Sequence, residues 1–483
     1  MNASTKILML FLLLMYPVRG EAQRNALRAL VSDSSMAAAS VSLSILDIST
    51  GNKLFEYEPG KSLAPASVMK LFTTAAALEL LGRDYRFTTS LGYTGQLDKR
   101  SGTLYGDLII KGGGDPALGS ENFSDHYGNF LPEWLSMIRQ TGIRRIEGKI
   151  VTDDSRYDYQ PVPPKWLWED LGNYYGAGVY GLSVFDNTIS ISFRTGKEGS
   201  VPVITGVTPA IGRYELVNAL ISSGKTDKGF IFSAPYNDTG WMAGSIPANR
   251  SEFILRGSVG DPPLLAARLL DMMLDSSGTE VTGSPTTFRL DETAVSDYKM
   301  TLIAKIESPP LEKIVNVINH ESVNLYAEHL LKELGKCFAE TGSTSAGLEV
   351  LKTFLKESGI NTYGLFAEDG SGLSPLNAVT SRSMAELLVY MRKQSDNSEG
   401  FYNSLPQAGT GGTLKNSFHS PDISGRMRAK SGSMTRVRSY AGYITAKSGK
   451  EFAFCILVSN FSGPSGIIVA GIERIITETI LNN

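Results

Sequence analysis

The sequence predicts a mixed α/β (α+β) fold in which a sheet-and-helix core is interrupted by a long β-rich insertion. The chain opens with two strand patterns and closes with three more strand patterns and a helix, so its ends can pair into one sheet. Between them, residues 83–300 change to short alternating segments separated by turns rich in Gly, Asp and Pro. We therefore expect the middle of the chain to form separate β-rich domains.

The first core elements are predicted from the spacing of apolar residues. Residues 41–48 and 53–57 alternate around the turn Ser49-Thr50-Gly51-Asn52, which predicts a hairpin. Residues 71–81 are apolar almost all round, as in a helix that is buried on every side. Two further helical patterns meet near residue 322, and such a junction can project side chains into a cleft.

The end of the chain predicts the rest of the core sheet. Residues 427–433, 438–445 and 451–459 have the alternation typical of three consecutive strands. A helix is predicted from about residue 465 onward, and its charged residues indicate that it packs on the sheet rather than crossing a bilayer.

An N-terminal signal peptide is predicted from Lys6, the apolar residues 7–16, and the small residues Gly20 and Ala22 around a cleavage site. The alternative, a membrane anchor, needs about 20 apolar residues, whereas Pro17 ends this run. No cysteine lies near the cleavage site, so the residue to which a lipid anchor would be attached is missing there. We expect an exported, periplasmic or extracytoplasmic protein, either soluble or attached peripherally to the cell envelope.

The domain boundaries follow from these patterns. Residues 1–22 are assigned to the signal peptide, residues 23–82 and 301–483 to the core domain, and residues 83–300 to the inserted β-rich domains. More than one domain is expected, because a single hydrophobic core usually stops growing at about 250–300 residues.

Composition excludes several classes of function. A net charge of −3 argues against a nucleic-acid partner, which normally requires a basic surface. The four histidines show no metal-ligand spacing, so we predict no metal and no cofactor. Cys337 and Cys455 are too few for a disulfide framework and lie in or beside apolar segments. Two buried thiols are the favoured interpretation, and a single disulfide is the alternative.

Ser67 and Lys70 form the first of three candidate catalytic motifs. In Ser67-Val68-Met69-Lys70, one helical turn would bring the Lys70 amine close to the Ser67 hydroxyl. A serine alone is a poor nucleophile near neutral pH, and a neighbouring amine whose pKa is lowered by burial can take its proton. Because Ser-x-x-Lys arises often by chance at helix starts, this interpretation needs further residues to support it.

Two further motifs lie downstream. Ser322-Val323-Asn324 is at the predicted helix junction, and Lys430-Ser431-Gly432 is within a strand pattern. Alone, the first triplet would usually be a helix cap and the second a turn. Their joint occurrence after Ser-x-x-Lys, with an apolar strand following the last triplet, indicates nucleophilic catalysis by serine.

The three motifs are similar to those of the penicillin-recognising serine acyltransferases. Four further segments resemble one branch, the class C low-molecular-mass penicillin-binding proteins, which are D-alanyl-D-alanine carboxypeptidase/endopeptidases of the penicillin-binding protein 4 type. These segments are Gly114-Asp115-Pro116, residues 369–374, Gly412-Thr413-Leu414 and residues 426–430. The resemblance covers essentially the whole mature chain and implies a transpeptidase-like, β-lactamase-like domain with β-rich domains inserted after the nucleophile helix.

The resemblance also implies roles for the catalytic residues. Ser67 would be the acylated nucleophile and Lys70 the base that activates it. Ser322 would relay a proton to the leaving amine, and Asn324 would hold the peptide amide and Lys70. Lys430 would supply positive charge near the substrate's terminal carboxylate.

Four more residues are implied in substrate binding. Ser431, which replaces the usual threonine of the family, keeps the hydroxyl that donates to the carboxylate. Gly432 would leave the strand edge clear, and the backbone N–H of Ser433 would complete an oxyanion hole with that of the nucleophile. Asp170, in Trp166-Leu167-Trp168-Glu169-Asp170, resembles a residue that contacts the diamino acid of the stem peptide. The alternative for Asp170 is a solvated acid at a helix start.

The function that we expect is hydrolysis of D-Ala-D-Ala stem peptides, and of D-alanyl cross-links, in peptidoglycan. β-Lactam antibiotics would then act as covalent inhibitors. Two alternatives stay open on the sequence. One is a serine β-lactamase, for which no Glu-rich deacylation loop is recognisable, and the other is a non-catalytic penicillin-binding sensor or scaffold on the cell wall.

Overall fold

The computed structural model describes residues 20–210, 212, 214–291 and 298–483. Residues 1–19 of the predicted signal peptide lie outside these ranges, and the first helix begins at Glu21. The α-helices, numbered in chain order, are α1 (Glu21–Val31), α2 (Lys70–Leu81), α3 (Ser124–Tyr127), α4 (Phe130–Gln140), α5 (Trp168–Leu171), α6 (Pro262–Ser276), α7 (Leu311–Glu321), α8 (Asn324–Phe338), α9 (Thr344–Glu357), α10 (Ser381–Lys393), α11 (Ser398–Ser404) and α12 (Ser465–Leu481).

The β-strands are likewise numbered in chain order. They are β1 (Ser40–Asp47), β2 (Lys53–Tyr57), β3 (Ser62–Leu63), β4 (Thr88–Tyr93), β5 (Gln96–Asp98), β6 (Thr103–Tyr105), β7 (Leu108–Lys111), β8 (Arg145–Glu147), β9 (Ile150–Asp153), β10 (Thr188–Arg194), β11 (Val203–Thr208), β12 (Glu215–Ser222), β13 (Lys228–Phe232), β14 (Thr239–Ile246), β15 (Phe253–Ser258), β16 (Glu280–Val281), β17 (Thr286–Thr287), β18 (Thr301–Glu307), β19 (Val379–Thr380), β20 (Met427–Met434), β21 (Val437–Thr445) and β22 (Glu451–Ser459).

The described chain divides into two compact units. The first unit contains the residues up to Glu79 together with Val315–Ser322 and Lys352–Asn483. The second unit contains Leu80–Ile314 and Val323–Leu351. The domain boundaries at residues 82 and 301 stay a prediction.

The first unit is built on a five-stranded sheet in the order β2-β1-β22-β21-β20. Strands β1 and β2 form the predicted hairpin, and β1 pairs antiparallel with β22, so that Ile45 lies opposite Phe454. Helices α1 and α12 cover one face of this sheet with residues such as Leu30 and Ile472. The other face contacts α10, where the Ser42 hydroxyl donates to Ser381 Oγ at 2.8 Å. The predicted terminal sheet is confirmed.

The second unit contains several smaller sheets. One five-stranded sheet has the order β17-β9-β7-β4-β18, and a four-stranded sheet has the order β16-β8-β6-β5. Two three-stranded sheets, β11-β10-β15 and β12-β14-β13, share an apolar core that includes Ile191, Phe193 and Met242. The β-rich character of this region is confirmed, but α4 and α6 were not predicted.

The two cysteines are both free thiols. Cys455 is buried in β22, as predicted. The prediction of a buried Cys337 was wrong, because the buried part of α8 ends at Gly335 and Cys337 lies beyond it, exposed, in the last turn.

Within the described ranges, no helix has the length and apolar character needed to cross a membrane.

The loop at residues 369–374 fixes the turn that precedes α2. The Asp369 carboxylate accepts a hydrogen bond of 2.7 Å from the backbone N–H of Gly372. Gly372 has a φ of +83°, and a Cβ atom there would lie 1.9 Å from the carbonyl oxygen of Ala66. A side chain at this position would therefore be strained and would also displace the turn.

We expect Gly372→Ala to destabilise the protein by more than the roughly 1–2 kcal/mol that a left-handed conformation alone costs. Gly449→Ala is the matched control, because Gly449 has a φ of +88° but nothing within 4 Å of its added Cβ atom. Urea unfolding of both variants would measure the difference. Equal losses of stability would show that the loop can retreat from the turn.

Candidate active site

Ser67 and Lys70 lie side by side at the start of α2. Ser67 is in a 3₁₀ turn (Ala66–Met69), and Lys70 begins the α-helix. The Lys70 Nζ atom lies 3.0 Å from Ser67 Oγ and donates to the carbonyl oxygen of Ser371 at 2.7 Å. Lys70 is fully buried, whereas Ser67 is half-buried. The helical spacing therefore places the amine within hydrogen-bond reach of the hydroxyl, as predicted.

Ser322 occupies the predicted junction between α7 and α8. Its backbone N–H donates to the carbonyl oxygen of Ile318 at 3.0 Å, which ends α7. Its φ of +65° is uncommon for a residue other than glycine. Such conformations are concentrated at functional sites, where the surrounding structure holds them.

Lys430 lies in β20 and is fully buried. Burial lowers the pKa of Lys430 well below its usual value, and the positive charge of Lys70 lowers it further, whereas Glu321 acts in the opposite direction. Its Nζ atom donates to the carbonyl oxygen of Ser431 at 3.0 Å. The first unit thus brings the lysines of two motifs close enough to repel each other, beside the residue that precedes Ser322.

Gly432 lets β20 approach the nucleophile turn. A Cβ atom at this position would lie 2.2 Å from Ser439 Oγ, 2.6 Å from the carbonyl oxygen of Pro65 and 2.9 Å from the backbone nitrogen of Ser67. The space that a side chain at this position would need is therefore already filled, mainly by the backbone of the turn that contains Ser67. Ser433, the next residue along the strand, is exposed, and its hydroxyl accepts a hydrogen bond from Arg438.

Ser431 has a hydroxyl partner that lies outside the three motifs. Its Oγ atom lies 2.8 Å from Thr413 Oγ1, with Ser431 as the donor. Thr413 follows Gly411 and Gly412, which pack against His320: an added Cβ at Gly412 would lie 2.3 Å from the His320 carbonyl oxygen. The triplet Gly-Gly-Thr is the signal that could have indicated a close backbone approach at this point.

Asn324 and Asp170 belong to the second unit, where Tyr175 connects them. The Asn324 amide donates to the carbonyl oxygen of Tyr175 at 2.8 Å. The Asp170 side chain is hydrogen-bonded to the Tyr175 side chain, and burial raises the pKa of Asp170. Asp170 is buried in α5, so it is not the solvated acid of the alternative interpretation.

Among the described residues, no group of three or more His, Cys, Asp or Glu side chains is arranged to hold a metal ion.

Comparisons with known proteins agree over most of the chain. The family model of the D-Ala-D-Ala carboxypeptidase 3 (S13) family matches residues 23–469. A D-alanyl-D-alanine carboxypeptidase of Actinomadura sp. (strain R39) is 30% identical over 459 residues, which cover 92% of this chain and 82% of the relative.

Solved structures show the same fold. Penicillin-binding protein 4 (dacB) of Haemophilus influenzae superposes with a TM-score of 0.79 at 22% identity, covering 92% of this chain and 97% of that one. The same protein complexed with a β-lactam gives a TM-score of 0.77 at 22% identity, covering 94% and 99% of the two chains. The predicted penicillin-binding α/β fold is therefore confirmed.

Sequence and fold lead to the same conclusion. The family model leaves out only the first 22 residues and a short C-terminal segment. With 30% identity to a curated carboxypeptidase over nearly the full length, the chain belongs to the D-Ala-D-Ala carboxypeptidase 3 (S13) family and is a serine-type D-Ala-D-Ala carboxypeptidase.

Proposed function

We propose that the protein hydrolyses the terminal D-Ala-D-Ala bond of peptidoglycan stem peptides through an acyl-enzyme on Ser67. The observation that carries this proposal is the distance of 3.0 Å between Ser67 Oγ and the buried Lys70 amine. A hydroxyl next to an amine that can accept its proton is the arrangement that serine acyl transfer needs.

In the first step, Lys70 takes the proton of the Ser67 hydroxyl as Oγ attacks the carbonyl carbon of the penultimate D-Ala. Ser322 gives its hydroxyl proton to the nitrogen of the leaving D-Ala when the peptide bond breaks and takes in exchange the proton held by Lys70, which leaves Lys70 neutral again. Water then attacks the ester, which releases the shortened peptide and restores the Ser67 hydroxyl. Repulsion between the two lysines disfavours a state in which both are charged, so a charged Lys430 helps to keep Lys70 neutral before the first step and able to accept the Ser67 proton.

The third motif recognises the terminal carboxylate. Lys430 supplies positive charge. The Ser431 hydroxyl turns its one proton from Thr413 Oγ1 to the carboxylate, and the Thr413 hydroxyl then donates to Ser431 Oγ. The backbone N–H groups of Ser67 and Ser433 stabilise the oxyanion, a contribution of roughly 3–4 kcal/mol per donor. Gly432 supports this arrangement because it allows the strand to approach the backbone of Ser67.

Asn324 and Asp170, which belong to the second unit, are the two further residues that we propose contact the peptide. Asn324 orients the peptide amide, and Tyr175 holds both side chains in place. Asp170 pairs with the amino group of the stem peptide's diamino acid. A buried carboxylate is costly to ionise without a partner, and a cationic amine from the substrate would relieve that cost.

The same acyl-enzyme would form with D-alanyl cross-links, which gives DD-endopeptidase activity, and with penicillin. The predicted signal peptide places the enzyme outside the cytoplasm, where peptidoglycan is found. Peripheral attachment to the cell envelope would keep it near this substrate.

Penicillin is expected to form a lasting adduct on Ser67. The opened ring keeps the leaving group tethered, so it obstructs the water that would hydrolyse the ester. Peptide mapping of the penicillin-treated protein by mass spectrometry would locate the adduct, and Ser67→Ala is the control. Rapid turnover of a chromogenic cephalosporin without an adduct would support a β-lactamase instead, and an unmodified Ser67 would support a non-catalytic protein.

Replacing Lys70 is expected to slow acylation far more than replacing Asn324. Lys70→Met keeps the side-chain volume but removes the proton acceptor, a contribution of roughly 10²–10⁴-fold. Asn324→Ala removes an orienting hydrogen bond, worth about 10-fold. Stopped-flow measurement with a fluorescent penicillin would give both rates, with thermal unfolding as the control for folding. The reverse ranking would contradict these assignments.

Removing the Thr413 hydroxyl is expected to weaken carboxylate recognition through Ser431. Thr413→Val keeps the shape but loses the 2.8 Å hydrogen bond, and the kcat/KM for a D-Ala-D-Ala peptide should fall about 5-fold. Thr413→Ser should restore it. A peptide with an amidated C terminus is the control, because its cleavage should respond little. Equal losses with both substrates would show that Thr413 acts on the cleft as a whole.

A further inference from the structure

The outward face of the sheet β12-β14-β13 is apolar and exposed. The inward residues of these strands, such as Leu220, Ile231 and Met242, fill the core that this sheet shares with the sheet β11-β10-β15. In a half-buried antiparallel or mixed sheet, the alternate residues face water and are normally polar. Here the outward side chain of Trp241 is instead 52% exposed and that of Phe230 is 39% exposed.

Four aromatic rings line up on this face. Phe232 lies directly opposite Trp241 in the strand register, and adjacent strands are about 4.8 Å apart. The Phe230 and Phe232 ring centroids are 6.4 Å apart, and the Trp168 ring, 66% exposed, lies 4.7 Å from Phe232 at 37°. We call Trp168, Phe230, Phe232 and Trp241 the aromatic shelf.

Helix α5, which carries Trp168, is fixed to this sheet by its following residues. A Cβ atom at Gly172 would lie 1.9 Å from the carbonyl oxygen of Ile231, so only glycine allows this contact. The Asn173 side chain accepts a hydrogen bond of 3.2 Å from the Ile231 backbone N–H. These contacts hold Trp168 next to the sheet, so its exposed ring has a fixed position in the shelf.

A shallow trough of small residues runs beside the shelf. Ala219 lies opposite Ala243, and Ala243 lies opposite Phe230, in the row next to that of Trp241. The row beyond it contains Ile221, Ser245 and Lys228. In these three rows Lys228 is the one charged residue, so the surface is largely apolar and nearly neutral.

We propose that the aromatic shelf binds the glycan strand of peptidoglycan, a polymer of N-acetylated amino sugars. This inference rests on the proposed function and extends it to the polymer that carries the stem peptide. Sugar rings present apolar C–H faces that stack on aromatic rings while their hydroxyl groups stay in water, and the alanine trough leaves room for the substituents. Asp170, which we propose contacts the stem peptide, follows Trp168 by two residues in the same helix.

The size and charge of the surface disfavour other occupants. Three rows on three strands cover about 300 Å², whereas a stable protein interface needs about 800 Å² on each partner. Peripheral binding to an anionic membrane relies on clusters of lysine and arginine, and these rows hold one lysine. A narrow, uncharged polymer is the ligand that matches both properties.

The test is binding of the full-length protein to two probes: glycan strands from which an amidase has removed the stem peptides, which leaves a lactyl carboxylate, and an uncharged polymer of N-acetylglucosamine. We expect Trp168→Ala/Trp241→Ala to bind at least 10-fold more weakly than the wild type in a co-sedimentation assay. Trp168→Phe/Trp241→Phe should retain most of the binding, because it keeps the aromatic rings. Tyr105→Ala, which removes an aromatic side chain that is 59% exposed on another sheet of the same unit, is the matched control and should bind normally.

Two further measurements keep the result interpretable. The double alanine variant should unfold at the wild-type temperature and react with penicillin at the wild-type rate, so that lost binding reflects the surface alone. Ser67→Ala should bind the glycan normally. If penicillin failed to modify Ser67 in the wild type while glycan binding persisted, the catalytic proposal would fail and the glycan-binding proposal would stand.

Several outcomes would overturn the proposal. Equal binding by the wild type and the double alanine variant would remove the shelf from glycan recognition, as would a wild type that does not bind peptide-free glycan. Self-association lost in the double variant would assign the face to a second copy of the chain. Binding to anionic vesicles lost in that variant would assign it to a membrane.

Discussion

The burial of two lysine amines next to each other is the constraint on which the catalytic unit depends. Lys70 and Lys430 are both fully buried, and each charge acts on the other. Isolated buried ammonium groups are costly, so nearby groups must compensate for them. The Ser371 carbonyl oxygen does so for Lys70, and the negative charge of Glu321 does so for Lys430. The same cost favours the neutral form of a buried amine, and a neutral amine is what can accept the proton of the serine hydroxyl.

Close backbone contacts then set the positions of these groups. Glycine at 372 lets the loop that supplies the Ser371 carbonyl reach the turn at Ala66, and glycine at 432 lets β20 reach the same turn from another side. At both positions a Cβ atom would lie closer to a backbone oxygen than van der Waals contact allows. The nucleophile turn is therefore held by backbone atoms, whose positions vary less than those of side chains.

The sequence predicted those features that depend on short-range patterns. The hairpin, the buried helix after Ser67, the helix junction at Ser322 and the terminal strands all follow from apolar spacing, and the structure has each of them. Helix α6 was missed although Asp261 caps it and prolines open it, because the surrounding turns suggested strands. The contact of Thr413 with Ser431 could not be predicted, since it depends on how a loop lies against a strand edge 18 residues away.

The pairing of β1 with β22 has a consequence for the order of folding. Residues 40–47 complete the central sheet only with residues 451–459, near the other end of the chain. Because the N terminus of a chain is synthesised and exported first, this pair cannot form until nearly the whole chain has emerged. In the sequence, the residues of the second unit come between these two strands, so that unit can fold earlier. Such a long-range closure is slow, so the unit that carries Ser67 is expected to become active last, after the rest of the chain is already in place.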